Sequence, residues 1–351
     1  MRVHAGCSYA ARMTEMNTPV TTMIGPNGTR GGLLGRHPFA MFLTLAFGIP
    51  ILLVGSLLLT PHFWSWVHGG PFDYFAEFER LTRALGLANV PRSSLYLWLR
   101  LSLAEPIFWT GNIYVAAPAI AALIVVGATG ANGGLRDFVR RLRFSQGLSA
   151  GQTLLWYATA FAIMLLCNLC IPLIIGVPLI PFERYLTPSF ALILLGGTLF
   201  DQGGFLEEGG WRGFALPYLQ RISKSPLKVN LLVGLIWGLW HVPRDLAQHF
   251  TASSGYLLGT LLPFILGCIT LSVIIAFFFY RVGGSVWMGV MLHSLSNNNA
   301  GIGWNDSLLQ QSMSRFNWAS FASQSVIVIF IVLLYGQNLG LRGDSAGAPI
   351  V

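Results

Sequence analysis

Long apolar runs separated by short polar or glycine-rich joints recur along most of this chain. A transmembrane helix needs about 20 mostly apolar residues. Eight stretches approach that: Pro38 to Thr60, Ile107 to Thr129, Thr153 to Ile180, Ser189 to Glu207, Val229 to Phe250, Tyr256 to Tyr280, Gly283 to Asn299 and Ser320 to Gly336. The pattern predicts an all-α polytopic membrane protein of about eight transmembrane helices. The fourth, fifth and seventh stretches are the least hydrophobic, and they hold every acid and histidine expected inside the bilayer. A division follows into a disordered cytoplasmic tail (1–36), an N-terminal membrane region with interfacial helices (37–187), a second membrane region that holds these acids and histidines (188–337) and a C-terminal tail (338–351).

Composition strengthens this reading. Charged residues make up 10% of the chain against about 25% in ordinary soluble domains. With 54% hydrophobic residues and a mean hydropathy of +0.63, too little polar surface remains to cover a soluble enzyme. The net charge of +8 does not point to nucleic acid, because the basic residues are scattered singly between apolar runs. They act instead as topology signals. With the N-terminus inside, inner segments hold Arg2, Arg12, Arg30, Arg36, Arg136, Arg140, Arg141, Arg143, Arg212, Arg221, Lys224, Lys228, Arg281 and Arg342; outer ones hold Arg80, Arg83, Arg92, Arg100, Arg184, Arg244 and Arg315. Fourteen against seven places both termini in the cytoplasm. No apolar stretch near Met1 suggests a secretory signal, and Met13, Met16 and Met23 offer alternative starts. The 19 Arg to 2 Lys bias suggests a GC-rich, bacterial source and a plasma-membrane location.

Two segments outside the spans have a pattern of their own. From Leu135 to Phe144, Leu135, Phe138, Val139 and Leu142 fall at helical spacing with arginines opposite, which predicts an amphipathic helix held on the inner leaflet by anionic lipid. The outer loop 61–106, with Trp64, Trp66, Trp98 and alternating charges, reads as one or two interfacial helices or as a loop with aromatic anchors. Cys167 and Cys170 form a C-x-x-C in mid-span without a second pair or nearby His, and the expectation is packing rather than a disulfide or metal.

An ionisable group inside a span marks a functional site by default. Glu207 and Glu208 end the fourth stretch near the inner interface, followed by Arg212. Adjacent residues point about 100° apart on a helix, so only one carboxylate faces a given pocket. Glu208, four residues before Arg212, is placed to pair with it; Glu207 is left free as a general base. His241 lies one turn after Trp237, and Pro243 should kink the helix beside it. His293 and Asn297, four apart, offer two donors aimed at a developing oxyanion. Asp201, about 240° around the helix from Glu207, is expected to face away from the site. Together the set can activate water against a peptide carbonyl without a covalent intermediate. A Glu207, His241, His293 set also suits zinc, and because the H-E-x-x-H helix is absent the metal question stays open. Gly203, Gly204, Gly209 and Gly210 permit either close helix approach or local unwinding.

The order E-E-x-x-x-R (Glu207, Glu208, Arg212), an aromatic-x-x-x-H (Trp237, His241) and H-x-x-x-N (His293, Asn297) resembles the CPBP family. This comprises the CAAX-protease and bacteriocin-processing (Abi) intramembrane proteases, including the type II CAAX prenyl endopeptidases. The resemblance covers roughly Ser189 to Gly336, with Trp237 standing where the motif has Phe. It implies a conical catalytic cavity between the fourth, fifth and seventh spans, with water activated by Glu207 and His241 and the oxyanion held by His293 and Asn297. It further implies a site shaped by Glu208, Arg212 and Trp237, and a membrane-embedded peptide or lipidated (CAAX-like) protein as substrate. Family members have been described both as metalloproteases and as metal-independent glutamate proteases. Two other classes compete: a non-catalytic immunity or scaffold protein, favoured by G-x-x-x-G at Gly234/Gly238 and Gly255/Gly259, and a proton-coupled transporter relaying through Asp201, Glu207 and His241, against which the chain shows no internal repeat.

Overall fold

The computed structural model describes residues 36–59, 65, 73–88, 90–179, 181–248, 254–298 and 313–341. Both predicted tails, apart from Arg36 and 338–341, lie outside them, as do Trp64, Trp66 and Phe250. Among the described residues regular structure is helical, and β structure is confined to an isolated antiparallel bridge between Ser94 and Asp201.

Among the described residues five helices are long and apolar enough to cross a membrane. They are α1 (Pro38–Leu59), α4 (Trp109–Thr129, entered through a 3-10 turn), α6 (Ala150–Ile175), α12 (Leu262–Arg281, entered through a π-turn) and α14 (Met313–Tyr335). Between α1 and α4 come α2 (Tyr74–Ala84) and α3 (Leu95–Ala104), and after α4 comes the short α5 (Gly134–Arg140). The segment between α1 and α4 thus contains two helices, one of the two alternatives that its aromatic residues and alternating charges left open. They build a small core of their own from Phe78, Leu97, Leu101 and Phe108.

The three weakest stretches of the hydropathy reading depart from it. The fourth is broken: α7 (Pro188–Leu199) stops at Phe200, and α8 (Gln202–Gly210) restarts at Asp201, whose carboxylate accepts from the Gly204 amide at 2.7 Å as an N-cap. The chain does not end at the glutamates. It widens into a π-turn (Trp211–Ala215) and continues as α9 (Leu216–Ile222), so Glu207 and Glu208 sit inside a nearly continuous helical run. The fifth stretch is α10 (Pro226–Trp240), capped by Ser225, with the chain turning at His241 before α11 (Val242–Gln248). Pro243 lacks the N–H that would bond back to Leu239, which explains the interruption. The seventh is the short α13 (Val286–Asn297), entered through the positive-φ pair Gly283 and Gly284.

Small residues let these helices approach closely. A Cβ at Gly210 would fall 2.4 Å from the Pro118 backbone, half-way along α4, and one at Gly204 would fall 2.9 Å from the Val290 carbonyl on α13. The glycines around the glutamates therefore serve close approach. Gly234 and Gly238 do the same between α10 and α12, against Ile269 and Ile265, so this G-x-x-x-G is used within the chain. Cys167 and Cys170 are free thiols, and Cys167 bonds to Ser323 of α14 at 3.0 Å.

Candidate active site

Glu208 and Arg212 form the pair their spacing predicts, at 2.8 Å and both fully buried, across the joint between α8 and the π-turn. The bond uses Glu208 Oε1, which also accepts from His293 Nδ1 at 3.0 Å. Gly289 on α13 makes room for this carboxylate, since a Cβ there would lie 2.3 Å from Oε2. Arg212 is covered on one side by the Trp237 ring, 4.8 Å from its centroid, which adds a cation–π contact where no water reaches.

Glu207, one residue earlier, is buried but has no cation at hydrogen-bonding distance among the described residues. Its Oε2 accepts from the Trp237 indole N–H at 2.7 Å and more weakly from that of Trp211 at 3.4 Å. Trp237 is therefore more than an aromatic filler of a helix interface: a Phe at this position has no proton to donate. Its other oxygen, Oε1, looks toward α13. His293 Nε2 and Glu207 Oε1 each lie 3.2 Å, and Asn297 Nδ2 lies 2.9 Å, from the point where a Cβ of Gly203 would stand. Three motif side chains from two helices thus converge over one glycine.

His241 occupies a different place. Buried at the end of α10, it packs its ring edge-on against Trp240 and Phe264, each 4.9 Å away, and Nδ1 lies 2.9 Å from the Trp237 carbonyl. A carbonyl can only accept, so Nδ1 carries a proton, and in the neutral ring the lone pair is on Nε2. No hydrogen bond joins His241 to Glu207 among the described residues; the two are linked through Trp237, which each of them touches.

Asp201 is drawn into the site rather than turned away from it. Besides capping α8, it accepts from Asn297 Nδ2 at 2.9 Å and from Asn298 Nδ2 at 3.1 Å. The expected 240° separation assumed an unbroken helix through position 201, and the helix begins there. Asn297 is exposed and keeps one amide hydrogen beyond the one given to Asp201. The segment between α2 and α3 also reaches this end of the site: Ser93 donates to Asn298 at 2.9 Å, and its carbonyl accepts from the Gln202 amide at 2.6 Å. An Asp followed by Gln-Gly-Gly is a legible N-cap, and that signal would have placed the break; nothing in the sequence signals Ser93.

The zinc alternative meets a geometric test. Among the described residues no three His, Cys, Asp or Glu side chains group as metal ligands. Glu207, His241 and His293 do not come together as a set of zinc ligands in this arrangement, because His241 is set apart from the other two.

Residues 187–298 match the family described as type II CAAX prenyl endopeptidase Rce1-like. That part of the chain is an Rce1-like domain. It runs from the N-cap of α7 to the residue after α13, and so encloses every motif residue named above. No curated protein gives a significant match to the chain. The Rce1-like family supports a membrane-embedded protease acting on membrane-associated protein. Within the domain the aromatic lining joins the site to its supports: Trp211 and Trp240 meet edge to face at 6.0 Å, and Trp240 donates to the Ala46 carbonyl of α1 at 2.8 Å, outside the matched region.

Proposed function

We propose that this protein is an intramembrane endopeptidase in which Glu207 activates water against a peptide bond of a membrane-anchored protein. The observation that carries the reading is the convergence of Glu207 Oε1, His293 Nε2 and Asn297 Nδ2 within 3.2 Å of the Gly203 Cβ position. A carboxylate base and two oxyanion donors must meet in this way for hydrolysis without a covalent intermediate.

Glu207 takes a proton from water as the oxygen attacks the scissile carbonyl carbon. The resulting oxyanion receives hydrogen bonds from the free amide hydrogen of Asn297 and from His293 Nε2. For His293 to donate there while Nδ1 donates to Glu208, it must be an imidazolium, and the adjacent Glu208 carboxylate supplies the counter-charge. Collapse of the intermediate breaks the C–N bond, and the proton on Glu207 passes to the leaving amine. His241, with Nε2 unprotonated, assists from the far side of Trp237 by ordering water or the amine. Trp237, Trp211 and Glu208–Arg212 hold the base and the donor, while Asp201 holds Asn297. The prenylated C-a-a-X sequence of the family name is one substrate of this class, and other membrane-anchored tails present the same amide at the same depth.

The test is cleavage of membrane-anchored peptides, prenylated and not, by the full chain in liposomes. Wild type should cleave and Glu207→Gln should not, with unchanged thermal stability. Retained cleavage in a stable Glu207→Gln protein sinks the assignment of the base.

A further inference from the structure

The segment after α4 is bolted to the catalytic region on one side and open on the other. Phe138 is buried against Gly213 of the π-turn, where a Cβ would fall 2.9 Å from its ring. Arg141, expected on the polar face, is instead buried: its guanidinium lies 3.4 Å from the carbonyls of Gly213 and Asn132, and burial lowers its pKa to about 10, still leaving it charged at neutral pH. Asn132 donates to the Phe214 carbonyl at 3.0 Å, and the Val286 amide that opens α13 donates to the Arg141 carbonyl at 2.9 Å. Segment 131–142 therefore touches both the π-turn that carries Arg212 and the helix that carries His293.

Its other side has two stripes at matching spacing. Leu135, Val139 and Leu142 are 54%, 53% and 43% exposed. Arg136, Arg140 and Arg143, each one residue later, line with Leu135 and Val139 a recess of 580 Å³. Of these arginines only Arg140 has an acidic partner among the described residues, Asp137 at 3.2 Å. Immediately beyond Arg143, a recess of 380 Å³ opens between Phe144, Leu148, Leu154 and Tyr157, at the start of the spanning helix α6. A cationic recess beside an apolar one that runs onto a membrane helix has the shape and charge of a phospholipid.

We propose that Arg136, Arg140 and Arg143 bind the headgroup phosphate of an anionic phospholipid of the adjoining leaflet. Its acyl chain lies along Phe144, Leu154 and Tyr157, and Leu135, Val139 and Leu142 enter the same leaflet. The bound lipid braces α5 against the π-turn. Each arginine near an anionic surface strengthens binding about fivefold, so removal of all three weakens it about a hundredfold.

The experiment uses the full chain in phosphatidylcholine nanodiscs with or without phosphatidylglycerol, reading hydrogen exchange of segment 134–144 and retained lipid by native mass spectrometry. Wild type should gain protection there and retain phosphatidylglycerol; the Arg136→Gln/Arg140→Gln/Arg143→Gln variant should do neither, while α12 exchanges as in wild type. The triple Lys variant, which keeps the charge, should retain the lipid and controls for misfolding. Equal protection in both lipid compositions, or lipid retention unchanged in the Gln variant, overturns the proposal. The same protection from inorganic phosphate in phosphatidylcholine alone would assign the recess to free phosphate and overturn the lipid.

Discussion

Trp237→Phe removes one proton from the site and leaves most of its packing. The indole N–H donates to Glu207 Oε2 at 2.7 Å with both partners buried. After the substitution that oxygen keeps only the longer bond from Trp211 at 3.4 Å. A hydrogen bond to a charged group contributes about 1.5–3 kcal/mol net. The Phe ring still covers Arg212 and meets the His293 ring, whose centroid is 4.8 Å from that of Trp237, so neither contact is lost outright. If the bond holds Glu207 at the geometry from which it takes the proton, its loss appears in turnover, about 10- to 150-fold by the conversion of 1.36 kcal/mol per decade. Trp237 does not touch substrate in the proposed mechanism, so KM should change little. The assay is steady-state cleavage of the best membrane-anchored peptide in liposomes, with kcat and KM measured separately for wild type and variant. A Trp237→Phe enzyme with wild-type kcat would refute the view that the indole N–H positions the base. A change confined to KM would refute it equally, by moving Trp237 into the substrate contact.

Two further substitutions separate the reacting groups from their supports. Gly203→Ala places a methyl group 2.9–3.2 Å from Asn297 Nδ2, Glu207 Oε1 and His293 Nε2. Displacements on the order of 1 Å at reacting groups cost about a hundredfold in rate, whereas Ala in place of Gly favours the helix by about 1 kcal/mol; cleavage should therefore collapse while the thermal midpoint holds, and an active Gly203→Ala enzyme would mean that the convergence is not the reaction centre. Glu208→Gln leaves the Arg212 charge buried without its counter-ion, a loss of about 3–5 kcal/mol, so thermal stability should drop sharply, in contrast to Glu207→Gln; equal stability of the two variants would contradict the division of roles between the adjacent acids.

The helical class and the Glu208–Arg212 pair were legible because each depends on local spacing: apolar run length for one, four residues on a helix for the other. The family motif was legible for a similar reason, since it is written in residue types and order. Helix interruptions were less so. Hydropathy sums over a window, and Phe200-Asp201-Gln202 sits within a run whose average hides a break made by one capping carboxylate. The π-turn at Trp211–Ala215 has no compositional sign at all, and it carries the helix past the glutamates that had marked its expected end. Arg141 and Arg212 were counted as inner-side topology charges, yet both are buried, which leaves twelve inner charges to seven and the same inferred orientation. The bond from Trp237 to Glu207 joins residues thirty apart on different helices, and only the packing of α10 against the π-turn decides that an indole rather than a ring edge meets the acid.

The two glutamates show how a site of this kind is tolerated in lipid. Ionised groups taken from water lose several kcal/mol each unless partners replace the solvent. Glu208 has Arg212 and His293 as partners, and Asp201 lies at the positive end of α8 with two amide side chains besides. Among the described residues Glu207 has neither a cationic partner nor a capped helix end, and accepts only from the two indoles. A guanidinium at hydrogen-bonding distance would both orient a carboxylate and stabilise its charge, whereas an indole mainly orients it. With His293 protonated, Glu207 and Glu208 balance His293 and Arg212 even though Glu207 is not paired with either cation, and Asp201 is the remaining charge, held by the α8 N-terminus and two amides. The 100° turn between adjacent residues separates a carboxylate spent on structure from one left to react, and the π-turn keeps Arg212 on the structural one.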